Sequence, residues 1–258
     1  MNPGRNLLTI SFFTLKELIK SRVLYNVFFL GLFLCLICYV SYEFSYGVQE
    51  KVSLDVGLGL MTLSCVGISI FMGATLMTTE IENRTLYMIL SRPVSRGEFL
   101  VGRVLGLILV LLINVLIFSI LILSIYKAMG GQIIPIIYHQ IIYTFLESVM
   151  VFIIVIILSL ITNTVLTVIN SIAIYFIGHS YETIYTISAV KRNPDLLFLI
   201  KSSSFIMPDF SKINYKPYIF YEKFYPQLNF SYSYAYAMLY IGVLILVSVL
   251  IFNQKSLE

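Results

Sequence analysis

The chain has 258 residues, of which 59% are apolar or aromatic and only 12% are charged. Ordinary soluble domains carry roughly 25% charged residues, so this composition excludes a soluble globular protein and predicts an integral membrane protein whose excess apolar surface faces lipid. The net charge of +4 comes from basic residues scattered between apolar blocks. That distribution suits contact with anionic lipid head groups and does not favour nucleic-acid binding.

Residues 1–22 have the pattern of an amphipathic helix. Leu8, Phe12, Leu15 and Ile19 fall on one helical face, and polar residues fall on another. We expect this helix to lie along the cytoplasmic membrane interface, ahead of the first span.

Six apolar blocks follow, each long enough to cross a bilayer core of about 30 Å at 1.5 Å per helical residue. The blocks are continuously apolar rather than alternating, which predicts helices and not a β-barrel. The predicted spans cover residues 23–42, 54–77, 104–126, 141–161, 165–185 and 233–252. The predicted fold is therefore an all-α integral membrane protein with six transmembrane helices in one domain, residues 1–258.

The fifth predicted span, residues 165–185, is the weakest. Its uninterrupted apolar run covers residues 165–178, which is about 21 Å at 1.5 Å per residue. Completing the span requires His179 and Glu182. We therefore predict that this helix is broken near its outer end and sheltered there by protein.

The distribution of Lys and Arg predicts the orientation. Basic residues cluster on the side of the two termini, whereas the short loops opposite hold only Lys51 and Lys127. This pattern places both termini in the cytoplasm. The segment 186–232 is also basic, yet we predict that it lies outside, because the first helix and the short loops usually dominate insertion.

The segment 186–232 is thus an extracytoplasmic insert before the last span. Pro217 is suited to open a short helix within it, because proline is tolerated in the first helical turn. Tyr residues recur from 215 to 240, as expected of an aromatic belt at a membrane interface.

The cytoplasmic loop 79–103 concentrates charge in a chain that has few charged residues. Residues 82–90 predict a short helix with one apolar face, which Pro93 ends because the residue before proline disfavours the helical region. Ser95 is then predicted to cap the next helix, with Glu98 completing a capping box. A short rigid helix of this kind suits docking into a soluble partner, and the alternative is a solvated loop whose charges set topology.

Two runs of residues in this loop carry a resemblance to a known family. They are Glu80-x-Glu82-x-x-Thr85-Leu86 and Ser91-Arg92-Pro93-Val94-Ser95-Arg96-Gly97-Glu98. Together they resemble the matching segment of ABC-2 type transporter permeases, and the resemblance extends to the amphipathic N-terminal helix, the six spans and the outer insert. Residues 207–211 also resemble a Pro-Asn-Leu-Ser element of the subgroup related to the nitrous-oxide-reductase maturation permease, with Asp209 in place of Asn.

The resemblance implies a function. The chain would be the permease subunit of an ABC transporter in a bacterial plasma (inner) membrane, working as a homodimer that docks on a separate cytoplasmic ABC ATPase. That partner would bind the ATP and Mg, and this chain would hold no cofactor. ATP hydrolysis would drive translocation of a substrate, and members of this family usually export. The residues to which the resemblance assigns ATPase coupling are Glu80, Glu82, Arg84, Thr85, Arg92 and Arg96.

The chain itself has no predicted ATP site and is not predicted to be an enzyme. Gly97 and Gly102 have the spacing of a phosphate-binding loop, but Arg103 and Val104 stand where Lys and Ser or Thr are required. Energy would therefore come from a partner.

Three ionisable residues of the predicted spans are candidates for the substrate path. Glu147 is expected one to two turns inside the outer boundary, and an ionisable group at membrane depth is a functional candidate. His179 and Glu182 are expected to share a face at the outer end of the fifth span, and two ligands are too few for a metal site. Two other functions stay open: a membrane enzyme using these three residues near the outer face, and a non-transporting membrane anchor of a maturation complex.

Overall fold

Helices account for nearly all of the chain that the structure describes, and no β-strand occurs there. The computed structural model describes residues 3–20, 23–44, 47, 49–82, 95–187, 190, 192–220 and 229–254. In these ranges the α-helices are α1 Pro3–Lys20, α2 Val23–Phe44, α3 Gln49–Glu82, α4 Arg96–Ala128, α5 Pro135–Ile161, α6 Thr164–Thr186, α7 Pro194–Ile206, α8 Lys216–Phe220 and α9 Phe230–Gln254. A 3-10 helix covers Phe210–Ile213.

Five of these helices, α3, α4, α5, α6 and α9, are long and apolar enough to cross a membrane. Their outer surfaces carry many exposed large apolar side chains, such as Leu63, Ile120 and Leu239, which only a lipid environment accommodates in such number. The protein is therefore membrane-embedded. In α2 the segment Phe29–Val40 is apolar, and the first predicted span, residues 23–42, stays a prediction.

Helix α5 forms the centre of the bundle. In its most apolar window 72% of the residues are buried, against 22% in α6 and 17% in α9. Ser69 on α3 donates a hydrogen bond to the Ser148 carbonyl of α5 at 2.9 Å. One turn further along α3, Gly73 lets Phe152 approach so closely that an added Cβ would lie 3.0 Å from its ring. Small residues at such crossings let helices pack closely within a membrane.

The helix predicted at 1–22 is present as α1, and the face that packs on the bundle carries Ser11 and Thr14 together with Ile10 and Leu18. Ser11 and Thr14 are buried against α4, where a Cβ on Gly106 would lie 2.5 Å from Thr14 Cβ. The predicted apolar face points away, with Leu8 72% and Phe12 63% exposed. This arrangement follows from a lipid surrounding, because apolar side chains gain nothing by turning inward from an apolar solvent.

The break predicted in the fifth span is wrong. Helix α6 continues through His179 and Glu182 to Thr186. His179 finds a carboxylate partner on α5, so the chain keeps its helical hydrogen bonds instead of breaking to let a polar side chain reach water.

The helices that flank the predicted loop 79–103 extend into it from both sides. Helix α3 continues to Glu82, and α4 begins at Arg96. The predicted capping box is confirmed: the Glu98 amide donates to Ser95 Oγ at 3.2 Å, and the Ser95 amide donates to Glu98 Oε2 at 3.1 Å. The loop helix predicted at residues 82–90 lies outside the described residues, apart from Glu82 at the end of α3.

Candidate functional site

The central feature of the site is a buried acid–histidine pair. Glu147 on α5 is only 3% exposed, and its Oε1 lies 2.8 Å from Nε2 of His179 on α6. Helix α5 starts six residues before the predicted span, so Glu147 lies near the middle of the helix rather than one to two turns from its outer end. A carboxylate at this depth is stabilised by a hydrogen-bonding partner, since an isolated buried charge is very unfavourable.

The pair faces a cleft of about 1000 Å³ between α3, α5 and α6. Leu63 and Phe71 of α3 and Phe176 of α6 form the rim, and each is more than 60% exposed. Because these rim side chains lie on the outer surface of membrane-spanning helices, the cleft opens sideways toward lipid. Its walls are mostly apolar; the polar and charged lining residues are Thr62, Thr75, Gln140, Glu147, Tyr175, His179, Asn214 and Lys216.

An aromatic cluster covers the histidine from the side of the insert. Tyr175, one turn before His179 on α6, contacts its ring edge-on at a centroid distance of 4.7 Å. Phe210, fully buried, stacks on the same imidazole at 5.2 Å and also contacts Tyr175 at 5.7 Å. Gly178 makes room for this approach, because a Cβ there would lie 2.6 Å from the Phe210 ring and 2.6 Å from the Pro208 carbonyl. The ring is therefore held between one helix and the insert.

Asp209 anchors this part of the insert. Its side chain is buried, caps the 3-10 helix by accepting the Ser211 amide hydrogen bond at 3.2 Å, and lies 3.4 Å from Lys212 Nζ. Its own amide donates to the Tyr236 hydroxyl of α9 at 2.9 Å. Aspartate and asparagine are both favourable residues at such a cap. Asp209 therefore fits this position although the Pro-Asn-Leu-Ser element that residues 207–211 resemble has Asn there.

Two further contacts fix the insert over the end of the cleft. The Tyr215 amide donates to Gln140 Oε1 of α5 at 2.7 Å. Lys216 Nζ lies 2.8 Å from Asp55 of α3, at the end of α3 remote from Glu82. The insert is thus tied to α3, α5, α6 and α9 at one end of the bundle.

The opposite end of the bundle holds α1 and the start of α4. Arg103 Nη1 donates to Glu17 Oε2 at 2.7 Å and to Thr14 Oγ1 at 3.2 Å. Thr164, at the start of α6, donates to Thr78 of α3 at 3.1 Å. This is the end from which residues 83–94 extend, so that segment connects two helices that are already braced by neighbours.

The structure brings two of the three predicted substrate-path residues together, Glu147 and His179. Glu182 is exposed on α6 and does not line the cleft. No group of three or more potential metal ligands occurs among the described residues.

The six predicted coupling residues lie at or beyond the helix ends described above. Glu80 and Glu82 belong to the last turn of α3, and Arg96 is the first residue of α4. Arg84, Thr85 and Arg92 lie outside the described residues.

The residues that sequence reasoning missed are Tyr175, Gln140 and the Lys216–Asp55 pair. Each contacts a partner far away in the chain, and nothing in the local pattern indicates the partner. Phe210 lies in an element that the sequence did single out, but its contact with His179 depends on the insert folding back over α6. Neither the protein-family models nor the curated proteins contain a match to this chain.

Proposed function

We propose that this chain is the permease subunit of an ATP-driven ABC-2 type exporter. In this proposal it has six spans, lies in a bacterial plasma membrane with both termini in the cytoplasm, and pairs with a second copy. A separate cytoplasmic ATPase binds the ATP and Mg. The segment 79–103 docks on that ATPase, with Glu80, Glu82, Arg84, Thr85, Arg92 and Arg96 in contact with it.

The cleft is the observation that carries the proposal. A space of about 1000 Å³ along membrane-spanning helices is the size that ligand sites have, roughly 300–1,000 Å³. It contains a buried acid–histidine pair at membrane depth, and intramembrane ionisable groups commonly mark solute pathways. A membrane anchor without transport has no use for such a space.

The arrangement of α3 supports coupling between the two ends. Thr75 and Met72 line the cleft, and α3 continues without interruption to Glu82, about 10 Å further along the helix at 1.5 Å per residue. Force applied to residues 83–94 would therefore tilt or shift α3 against α5. Such a shift changes the width of the cleft, which is what alternating access requires.

Co-purification tests the proposed ATPase contact. The full chain is purified with a tag in mild detergent, and an associated nucleotide-binding protein is identified. We expect Arg84→Glu and Glu82→Lys each to abolish this association while insertion survives. Lys127→Glu is the matched control, because Lys127 is an exposed residue in the last turn of α4 at the opposite end. If both loop variants retain the ATPase, the coupling assignment is wrong.

Labelling tests the proposed orientation. Single cysteines replace Arg96 or Lys201 in a chain whose three native cysteines are changed to alanine, and intact cells receive a membrane-impermeant maleimide. We expect reaction at position 201 and protection at position 96. The reverse pattern would put the charged loop outside, where no ATPase can reach it, and the transporter proposal would fail.

A further inference from the structure

The two members of the Glu147–His179 pair differ in how firmly they are held. Glu147 projects from α5, the most buried helix, and its side chain is 4% exposed, whereas that of His179 on the peripheral helix α6 is 27% exposed. A buried carboxylate on a central helix cannot turn away without repacking the core. Because Tyr175 and Phe210 pack against its ring, His179 leaves Glu147 through a shift of α6 and not through a free rotation of its side chain. The Tyr175 side chain is also hydrogen-bonded to Glu147, so the site keeps a fixed carboxylate and exchanges only its histidine partner.

The walls of the cleft favour an apolar, aromatic-binding cation. Phe71, Phe176 and Tyr175 present aromatic rings, whose faces attract cations in addition to apolar groups. The remaining walls are largely aliphatic, including Leu63, Val66 and Ile70. The open side faces lipid, so a ligand that partitions into the bilayer can enter without crossing water.

Among the described residues that line the cleft, the one lysine does not offset this preference for a cation. Lys216 is paired with Asp55 at 2.8 Å, and it lies 3.5 Å from the position of a Cβ on Gly59. Ser69 of α3 bonds to the residue after Glu147 and lies ten residues beyond Gly59, which is about 15 Å along the helix at 1.5 Å per residue. Lys216 is therefore far from Glu147. An anion beside His179 would thus meet Glu147 with no nearby lysine to compensate.

We propose that the cleft binds an amphipathic organic cation whose charged head replaces His179 as the partner of Glu147. This inference rests on the proposed function and specifies its substrate class. The shared chemistry is an ammonium-type or phosphonium-type head on an apolar body, supplied either by a free organic cation or by an amine-bearing lipid.

Binding of tetraphenylphosphonium to the purified full chain in nanodiscs tests the proposal, with tetraphenylborate as the anion of matched shape. We expect Glu147→Gln to weaken tetraphenylphosphonium binding about tenfold or more, because charge-assisted contacts contribute about 1.5–3 kcal/mol and 1.4 kcal/mol is tenfold. Tetraphenylborate binding should not depend on Glu147. Glu182→Gln, an exposed carboxylate on α6 outside the cleft, should leave both unchanged.

His179→Ala is the second variant, and it remains informative if Glu147→Gln does not fold. Removing the internal competitor should tighten tetraphenylphosphonium binding severalfold. Weaker binding in His179→Ala, or equal binding by wild type and a well-folded Glu147→Gln, would overturn the proposal. So would Glu147-dependent binding of tetraphenylborate.

Lipid composition separates the two sources of the cation. Nanodiscs of phosphatidylglycerol alone are compared with nanodiscs that also contain phosphatidylethanolamine. If phosphatidylethanolamine competes with tetraphenylphosphonium in wild type but not in Glu147→Gln, the natural ligand is a lipid amine. If phosphatidylethanolamine does not compete in wild type, the natural ligand is a free organic cation. The cation-binding assay needs no ATPase, so the two proposals fail separately. Intact cation binding without ATPase association refutes only the transporter proposal. ATPase association without Glu147-dependent cation binding refutes only the cation-site proposal.

Discussion

Replacing Gly178 by alanine should detach the insert from the histidine site. A Cβ at this position would lie 2.6 Å from the Phe210 ring and 2.6 Å from the Pro208 carbonyl. Both neighbours resist displacement, since Phe210 is fully buried and the carbonyl belongs to the backbone. Overpacking of this kind costs about 1–3 kcal/mol, whereas Gly→Ala in a helix gains about 0.5–1 kcal/mol. These two terms leave an expected net loss of up to about 2.5 kcal/mol.

Gly242→Ala is the matched control. Gly242 lies in α9 with no atom within 4 Å of its added Cβ, so only the helix-propensity gain remains. In detergent, the unfolding temperature of Gly178→Ala should fall by up to about 10 °C, at roughly 2–4 °C per kcal/mol for a chain of this size. Gly242→Ala should be unchanged or slightly more stable. Limited proteolysis within residues 192–220 should accelerate only in Gly178→Ala. Equal stability of the two variants would refute the close packing of Phe210 on α6.

Three other substitutions probe the two ends and the centre of the bundle. Arg103→Gln should destabilise the α1–α4 contact by about 1–3 kcal/mol, because the Arg103 side chain is only 14% exposed. Glu17→Gln should cost less than about 1 kcal/mol, because the Glu17 side chain is 65% exposed. Thermal unfolding of both variants measures the difference. Asn114→Leu removes a hydrogen bond of 3.0 Å to Ser64 between α4 and α3. A double-mutant cycle with Ser64→Ala should give a coupling energy of about 0.6 kcal/mol, the average for such bonds within membranes. Lys216→Met should lower stability by less than about 1 kcal/mol, since its partner Asp55 is 56% exposed, and high salt should remove the difference from wild type.

Local chain chemistry explains the parts of the fold that the sequence predicted well. Apolar blocks of about 20 residues become helices in lipid because no other structure satisfies the backbone there. The Ser95–Glu98 capping box depends on two residues three positions apart, so a sequence pattern is enough to find it. Pro217, in the first turn of α8, followed from proline's fixed geometry in the same way.

Contacts between distant residues explain what the sequence did not predict. The continuity of α6 depends on Glu147, 32 residues away from His179, and no periodicity along α6 indicates that partner. The depth of Glu147 was misjudged for a different reason. Pro135 at the start of α5 is a helix-start signal in the sequence. The prediction counted only the apolar block, which begins after His139 and Gln140, so it placed the start of the helix six residues too late.

The orientation of α1 shows why apolar periodicity has a different meaning in a membrane protein. In water, the face with Leu8 and Phe12 would turn inward, and the face with Ser11 and Thr14 would be solvated. Here Leu8 and Phe12 are exposed and Ser11 and Thr14 are buried, because lipid solvates the large apolar side chains while Thr14 and Ile10 pack closely on Gly106 and Gly102. The same reasoning explains why exposed leucines on α9 indicate no missing protein partner by themselves.

The unequal burial of the helices also bears on which of them can move. Helix α5 has contacts on several sides and carries the fixed carboxylate, so its displacement would disrupt the whole core. Helix α6 is mostly exposed, and its outer end is held by Phe210 and the rest of the insert. Helix α3 reaches both the cleft and the segment proposed to dock on the ATPase. Helix α3 packs closely along α5, so a shift of the more exposed α6 relative to α5 disturbs fewer buried contacts, and it would alter the Glu147–His179 pair without moving Glu147 itself.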